Sequence, residues 1–322
     1  DKVLNNRPGV SSEVRQKVKN LADELGYQPN MIGKALASQN KPIVIAVIIP
    51  ESDFGEEIRR GVNKAYETFK DYGVEVECHI IKDFDVAEQK SILNYLIDRK
   101  VSGIALRPEN DDRIKGVIDK AAEKNIPVVT YNSDIAFSKR LCFVGQDLVK
   151  AGKVAGNIMA KLLKGIGKVA IITGSFGLLC LNQRLEGFKT VIENQYPLIH
   201  IVEVIETKEQ KVITFEKTAA LLESIKDLDG IYVTGGALAE VGKAVKFTGR
   251  SGRVKIVCFD FYPEIVKLVR EGVVDFTIGQ DVFAQGYKPV KILFKYLFMG
   301  EQPESEHIKT IIDIREKESI DI

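Results

Sequence analysis

Several apolar runs of this chain are followed directly by polar or aromatic side chains that could bind a small molecule. In an open parallel sheet, ligands bind at the carboxyl ends of the strands, so these positions predict a binding cleft. One further arginine lies in the first turns of a predicted helix and can point back into the same cleft. The seven candidates are Phe54, Arg107, Asn132, Arg184, Gly235, Asp260 and Gln280.

These candidates combine planar polar groups with an aromatic ring, which is the mixture that carbohydrates require. Asp, Asn and Arg side chains bridge adjacent hydroxyls, and a ring covers the apolar C–H face of a sugar. Any single strand-end polar residue could equally be a cap or a turn former. Taken together, the set predicts a cleft that binds a polyhydroxylated ligand.

Motifs of catalysis are lacking in the sequence. The segment 174–177, Gly-Ser-Phe-Gly, has neither the spacing nor the acidic partner of a dinucleotide-binding loop, and no P-loop or nucleophile elbow is present. His79, His200 and His307 lie far apart in the sequence, and none is near the predicted cleft to act as a base. We therefore predict a binding protein that is not an enzyme and has no cofactor and no metal site.

The elements that position these residues follow a strand–helix rhythm. It starts with the apolar run 43–50 and restarts with 168–174. Continuous apolar strands joined by helices are typical of parallel sheets that are covered on both faces. The sequence therefore predicts an α/β fold with two doubly wound parallel-sheet subdomains.

An internal repeat predicts where the chain crosses between these subdomains. Residues 144–147 and 278–281 share the pattern apolar, Gly, Gln, Asp, and each comes where one series of strands ends. We interpret both as crossing strands, which makes the subdomains discontinuous. The predicted boundaries are 42–145 plus 281–305 for the first subdomain and 146–280 plus 306–322 for the second.

The N-terminal segment differs from this body in charge. The whole chain has a net charge of +1, whereas residues 1–41 hold seven Lys or Arg against four Asp or Glu. A helix beginning at Ser11 or Ser12 is predicted to end at Gly26, and Pro29 and Asn30 favour the start of a second, short helix. We predict a helical module at 1–28 and a linker helix at 29–41, and the basic charge suggests a polyanionic partner.

The segment 5–37, NNRPGVSSEVRQKVKNLADELGYQPNMIGKALA, resembles the DNA-binding headpiece and hinge helix of LacI/GalR-type bacterial repressors. The body resembles the periplasmic-binding-protein-like type I sugar sensor of the same family. The resemblance covers essentially the whole chain. The first two helices of the family's helix-turn-helix are not in this sequence, so we expect the headpiece to be a remnant.

This resemblance implies DNA-binding roles for five residues. Leu36 would be a wedge inserted into a minor-groove step, with Asn30 and Lys34 at phosphates or groove edges. Arg15 and Lys17 would face the DNA backbone, where contacts add salt-dependent affinity without reading sequence.

The same resemblance implies roles in the sugar site. Phe54 matches a stacking ring, Arg184 matches an arginine that contacts ring hydroxyls, and Asp260 and Gln280 match further hydroxyl ligands. Three positions depart from the family pattern, and they are Asn132 in place of an aspartate, Gly235 in place of Asn or Asp, and Arg107 in place of a neutral residue.

Arg107 leaves two interpretations open. A second arginine in the cleft could indicate an acidic sugar or a sugar phosphate. It could also be the partner of Glu109, which is the interpretation that we favour.

We therefore predict a cytoplasmic, homodimeric transcriptional regulator that binds operator DNA and responds to a small sugar or sugar derivative. No apolar run approaches the roughly 20 residues that span a bilayer, so we expect no membrane association. One rival is a periplasmic sugar-binding protein of an importer, which would have the same body. Another is a regulator whose effector is a partner protein.

Overall fold

The computed structural model describes residue 3 and residues 9–24, 42–82 and 85–320. Helix α1 (Ser12–Glu24) lies in the predicted helical module, and its start agrees with the expected serine cap. The rest of the described chain forms two α/β lobes, each built on a six-stranded sheet. No helix in the described part of the chain is both long and apolar enough to cross a bilayer.

The first lobe has the strand order β11-β5-β4-β3-β1-β2. Its elements are β1 (Ile43–Pro50), α2 (Asp53–Phe69), β2 (Val74–Ile81), α3 (Val86–Asp98), β3 (Gly103–Leu106), α4 (Asp112–Glu123), β4 (Val128–Tyr131), β5 (Cys142–Gln146), α10 (Val282–Phe294) and β11 (His307–Thr310).

The second lobe has the strand order β12-β10-β9-β8-β6-β7. Its elements are α5 (Leu148–Leu162), β6 (Gly167–Thr173), α6 (Leu179–Gln195), β7 (Ile199–Glu206), α7 (Lys211–Ser224), β8 (Gly230–Val233), α8 (Leu238–Phe247), β9 (Lys255–Phe259), α9 (Pro263–Arg270), β10 (Phe276–Gly279) and β12 (Asp313–Arg315).

Strand β1 shows why the apolar runs are continuous. Ile45, Val47 and Ile49 pack into the cluster that also contains residues of α2 and α10. The alternate residues Ala46 and Ile48 point to the other face and pack with α3 and α4. Because successive side chains of a strand point to opposite faces, a sheet covered by helices on both sides needs apolar residues throughout. The predicted doubly wound fold is confirmed.

The chain crosses between the lobes at the two repeated segments. After Gln146 it passes from β5 to α5, and after Gln280 it passes from β10 to α10. Asp147 and Asp281 cap the helices that follow, accepting hydrogen bonds from the Lys150 and Ala284 amides at 3.2 and 3.1 Å.

A third crossing, between β11 and β12, corrects the sequence-based division. The sequence predicts that residues 306–322 belong to the second subdomain, but they contain two strands that belong to different sheets. β11 pairs with β5 in the first sheet, and only β12 joins the second sheet, antiparallel to β10. Only two residues separate these short strands, so no local pattern marks the crossing. The other subdomain boundaries remain a proposal.

Glycines set the close packing of one helix pair in each lobe. A Cβ on Gly152 of α5 would lie 2.1 Å from the carbonyl oxygen of Arg184 on α6. A Cβ on Gly286 of α10 would lie 2.1 Å from the carbonyl oxygen of Ile58 on α2. Both helix backbones therefore approach more closely than any larger residue would permit.

Candidate functional site: the cleft between the lobes

A cleft of about 770 Å³ lies between the two lobes at the carboxyl ends of their parallel strands. All seven candidates from the sequence line it, although they come from seven different segments of the chain. Strand ends of both sheets therefore converge here, as the position rule for open α/β sheets requires.

Arg184 is the centre of a buried set of hydrogen bonds. Its side chain, on α6, is 2% exposed. Nη2 donates to Gln280 Oε1 at 2.8 Å, and Nη1 donates to the carbonyl oxygen of Thr234 at 2.9 Å. The guanidinium also lies over the ring of Phe259, with Cζ 3.7 Å from the ring centroid. These contacts fix the orientation of the arginine.

Gln280 joins this arginine to both lobes. Its Oε1 also accepts from Asn132 Nδ2 at 2.9 Å, which brings in the end of β4 in the first lobe. Its Nε2 donates to Asp260 Oδ1 at 2.8 Å, at the end of β9 in the second lobe. We call Asn132, Arg184, Asp260 and Gln280 the polar network.

The backbone explains two residue types in the polar network. Asn132 and Asp260 each follow a strand directly, and their φ angles are +61° and +65°. Asn and Asp adopt this left-handed region more readily than other residues with a side chain. An Asn or Asp at the turn after a strand thus satisfies the backbone and supplies a polar group to the cleft.

Burial controls the electrostatics of the network. It raises the pKa of the Asp260 carboxyl above its usual 3.8, and the nearby Arg184 guanidinium opposes that shift. Burial also raises the pKa of Tyr262 well above 10, and the negative charge of Asp260 adds to this shift. Arg184 Nε is buried and has no hydrogen-bond partner among the described residues, and Tyr262 Oη has none of regular geometry, although it lies close enough to Asp260 to lower the pKa of that carboxyl. The site therefore holds polar groups with bonding capacity to spare.

Phe54 and Arg107 form part of the first lobe's side of the cleft. Ser52 caps α2 by accepting from the Gly55 amide at 3.3 Å, which places Phe54 in the first turn of that helix. Arg107 is 7% exposed, and its guanidinium carbon lies 5.6 Å from the centroid of the Phe54 ring. The predicted pairing of Arg107 with Glu109 stays a prediction.

Gly235 contributes no side chain, and Leu181 fills the space beside it. A Cβ on Gly235 would lie 2.6 Å from Leu181 Cδ2. The sequence pointed to a missing polar contact at this position. It gave no sign that a leucine from α6 takes that place.

Sequence reasoning missed several other residues of the cleft. Glu209 lies three residues after β7 and lines the cleft, so it occupies the same kind of strand-end position as the predicted residues. Tyr262 and Glu240 also line it, and each lies close in sequence to a residue that was selected. Leu178, Cys180 and Leu181 line the cleft too, and nothing in their apolar character suggested a binding site.

The five candidates for DNA binding lie away from this cleft in the sequence. Arg15 and Lys17 belong to α1. Asn30, Lys34 and Leu36 lie outside the described residues, so their predicted roles are not tested. Within the described ranges, no cluster of three or more His, Cys, Asp or Glu side chains could hold a metal ion.

Residues 43–302 match the family model for the periplasmic binding protein domain. The chain belongs to this family. The match begins at the first residue of β1 and ends shortly before β11, so it covers both lobes and the cleft.

Relatives of two kinds are similar to this chain. A xylose/arabinose-binding protein of Sulfolobus acidocaldarius is 23% identical over 70% of this chain, but that match covers only 61% of the relative's own length. A ribose operon repressor of Halalkalibacterium halodurans is 26% identical over 92% of this chain and 85% of the repressor.

Solved structures show the same architecture. An ABC transporter solute-binding protein from Burkholderia graminis, in complex with D-arabinose, is 27% identical with a TM-score of 0.81. The comparison covers 86% of this chain and 96% of that one. The family model and this solved structure are of binding proteins, and the chain has the same two-lobed binding domain.

Proposed function

We propose that this chain binds an uncharged monosaccharide in the cleft and that it acts as the sensor of a DNA-binding transcriptional regulator. The polar network carries the first part of this proposal. A sugar hydroxyl both donates and accepts hydrogen bonds, and the network offers a carboxylate that accepts beside a guanidinium that donates. Phe54 supplies a ring that can cover a C–H face of the sugar.

The volume of the cleft and the hydrogen bonds that cross it support a small ligand. A volume of about 770 Å³ lies within the range of small-molecule sites and exceeds the volume of one sugar ring. The network is already hydrogen bonded across the lobes, through Asn132 and Gln280. A ligand that replaces or extends these bonds would stabilise one arrangement of the lobes over others, which is what a sensor requires.

The charges of the cleft favour an uncharged sugar over an acidic one. Among its described lining residues, seven are Asp or Glu and four are Lys or Arg. The negative excess opposes a carboxylate or a phosphate, even though two of the cations are the buried arginines. We therefore set aside the sugar acid and the sugar phosphate that Arg107 had suggested.

The match to the ribose operon repressor supports a regulator. It covers 92% of the chain, more than the share that follows residue 42, so it includes part of the N-terminal segment. That segment is basic and contains α1 with Arg15 and Lys17. In the proposal, α1 and the linker helix at 29–41 contact operator DNA in the cytoplasm, with Leu36 as the wedge and with Asn30 and Lys34 beside it.

A homodimer fits this role, because paired linker helices match a palindromic operator. The edge of the first sheet supports it. Strand β2 ends one side of that sheet, and Tyr95 on the adjacent α3 is 53% exposed. This edge offers a surface that a second copy can cover.

The second candidate is a sugar-binding protein of an importer. It is favoured by the solute-binding protein structure, which matches both lobes at a TM-score of 0.81. The two candidates share the cleft and differ in the role of residues 1–42. A third hypothesis is that the effector is a partner protein, which binds the cleft or a nearby surface. This hypothesis is favoured if no small molecule binds.

The first test measures the thermal midpoint of the protein with neutral monosaccharides, sugar acids and sugar phosphates. A ligand at a hundred times its Kd stabilises the native state by about 2.7 kcal/mol, which gives a clear shift. We expect a neutral monosaccharide to produce it. A shift with sugar acids alone would contradict the proposed ligand class, and no shift with any sugar would contradict sugar binding.

The second test selects binding sites from a random duplex library with the full-length protein, with and without the sugar found above. The regulator proposal predicts an enriched palindrome whose recovery changes with the sugar. Recovery that is equal for all sequences, and unchanged by sugar, would favour the importer. Sedimentation of the same sample measures whether the protein is a dimer.

A further inference from the structure

One wall of the cleft is apolar. Leu178, Cys180 and Leu181, at the start of α6, all line the cleft, and their exposures are 1%, 2% and 4%. We call these three residues the apolar wall. It lies on the same helix as Arg184, one turn before it, so polar and apolar groups of α6 face one cleft.

Two features show that this wall is built into the fold. Glycines make room for it, since Cβ atoms on Gly174 and Gly235 would lie 3.0 and 2.6 Å from the methyl groups of Leu181. The start of α6 also lacks a side-chain cap, because Leu178 takes the position that Ser, Thr, Asp or Asn usually holds. The helix therefore has an apolar residue at the cap position that lines the cleft.

Cys180 offers the cleft only a weak hydrogen-bonding group. Its thiol is buried beside the Ser133 hydroxyl, and burial raises its pKa, so it remains protonated and behaves as a small, mostly apolar side chain. Its backbone amide donates to Ser133 Oγ at 3.4 Å, in the first lobe. A ligand edge placed against this wall would therefore meet side chains that offer hydroxyls no strong partner.

We propose that the apolar wall selects a deoxy sugar, in which hydrogen or a methyl group replaces the hydroxyl that would face Leu181. This inference rests on the proposed sugar-binding function and deepens it. A hydroxyl held against the wall loses its water without gaining a partner, whereas a C–H or methyl edge gains contact. An apolar pocket discriminates against an added hydroxyl by up to about a hundredfold.

Isothermal titration of the whole chain with matched sugar pairs tests this proposal. The pairs are D-fucose with D-galactose, L-rhamnose with L-mannose and 2-deoxy-D-ribose with D-ribose. We expect at least one deoxy sugar to bind about ten- to a hundredfold more tightly than its parent.

Two variants test whether the wall is the cause. Cys180→Ser adds a hydroxyl with little change in shape, and Leu181→Asn offers an amide to the same edge. Both should reduce the preference for the deoxy sugar about tenfold or reverse it. Leu179→Asn is the matched control, because Leu179 lies on the same turn but lines a different groove and should leave the preference unchanged.

The outcomes separate this inference from the function on which it rests. Parent sugars that bind as tightly as their deoxy partners would overturn it and leave sugar binding intact. A preference that survives Cys180→Ser would also overturn it, even if Leu181→Asn does not fold. A protein that binds none of these sugars, or any other monosaccharide, would overturn both.

Discussion

Each lobe places a carboxylate of low exposure near the end of a strand, and the two carboxylates differ in how fully they are paired. In the first lobe, Asp134 forms a bidentate pair with Arg140, both bonds 2.6 Å long, and accepts from Thr130 Oγ1 at 2.8 Å. In the second lobe, Asp260 accepts a hydrogen bond from Gln280 Nε2, and burial raises its pKa. A carboxylate satisfied inside its lobe supports the fold, whereas one left short of partners at a cleft is a candidate for binding.

The two glutamines at the crossings show the same contrast. Gln146 Nε2 donates to the carbonyl oxygens of Gly279 and Ile311, both at 3.1 Å, and its Oε1 accepts a longer bond from Arg184 Nη2 at 3.3 Å, so it mainly ties two crossing segments together. Gln280 instead contacts three side chains of the cleft. One repeated sequence pattern therefore supports two roles, and the difference lies in what surrounds each copy.

The largest difference in the free energy of unfolding should come from neutralising Asp134 and Asp260 in turn. Asp134→Asn leaves Arg140 largely buried beside a neutral partner, and we expect the free energy of unfolding to fall by about 3 kcal/mol. Asp260→Asn should raise the free energy of unfolding at pH 7 in the absence of ligand, while abolishing sugar binding. Urea unfolding of both variants measures this difference.

The pH dependence of Asp260→Asn follows from the raised pKa of the native carboxyl. Protonated Asp260 is favoured in the folded state, so its stabilising contribution is complete below pH 3.8 and is lost as pH rises through the folded pKa. The advantage of the variant should therefore shrink to zero toward pH 3.8. A loss of stability at pH 7 as large as that of Asp134→Asn would remove the contrast between the lobes.

A smaller difference, in sugar affinity and in stability, should distinguish Gln280 from Gln146. Gln280→Ala removes the acceptor shared by Asn132 and Arg184, so we expect sugar affinity to fall by about 2 kcal/mol or more. Gln146→Ala should lower the free energy of unfolding by about 1 to 3 kcal/mol. Of the bonds to Arg184 it removes only the longer one of 3.3 Å, so it should reduce sugar affinity less than Gln280→Ala does. Titration with the sugar and urea unfolding of each variant check this pair. Equal losses of affinity would show that the repeat has one function.

The smallest effect should come from the glycines of the helix pairs. Gly152→Ala and Gly286→Ala both force helix backbones apart, and each should cost about 1 to 2 kcal/mol of unfolding free energy. Only Gly152→Ala displaces the backbone of Arg184, so it alone should also weaken sugar binding. If both variants bind sugar equally well, the hydrogen bonds of Arg184 determine its orientation, and the packing of α6 does not.

Much of the fold could be predicted because it depends on local pattern. The run 43–50 is apolar throughout, and the observed strand has the same bounds. The strand-end rule also predicted six residues of one cleft without any knowledge of tertiary contacts, and the position of Arg184 early in a helix added the seventh. Both predictions use properties of short segments, which the sequence displays directly.

The parts that could not be predicted depend on which segments meet. Gln280 bonds to residues 148 and 96 positions away, and no local pattern encodes such pairs. Leu181 reaches the cleft only because glycines from two other segments leave space for it. The pairing of β11 with the first sheet likewise depends on β5 offering an edge.

The position of β11 also bears on how the protein is made. This strand completes the first sheet with residues 307–310, although β1 of that sheet begins at residue 43. On the ribosome, therefore, the edge of β5 stays unpaired until both lobes have almost entirely emerged. Domains usually fold in the order of their synthesis, and exposed strand edges invite aggregation in the meantime. Here the two lobes must finish together, so a nascent chain that stalls before residue 310 leaves both sheets incomplete.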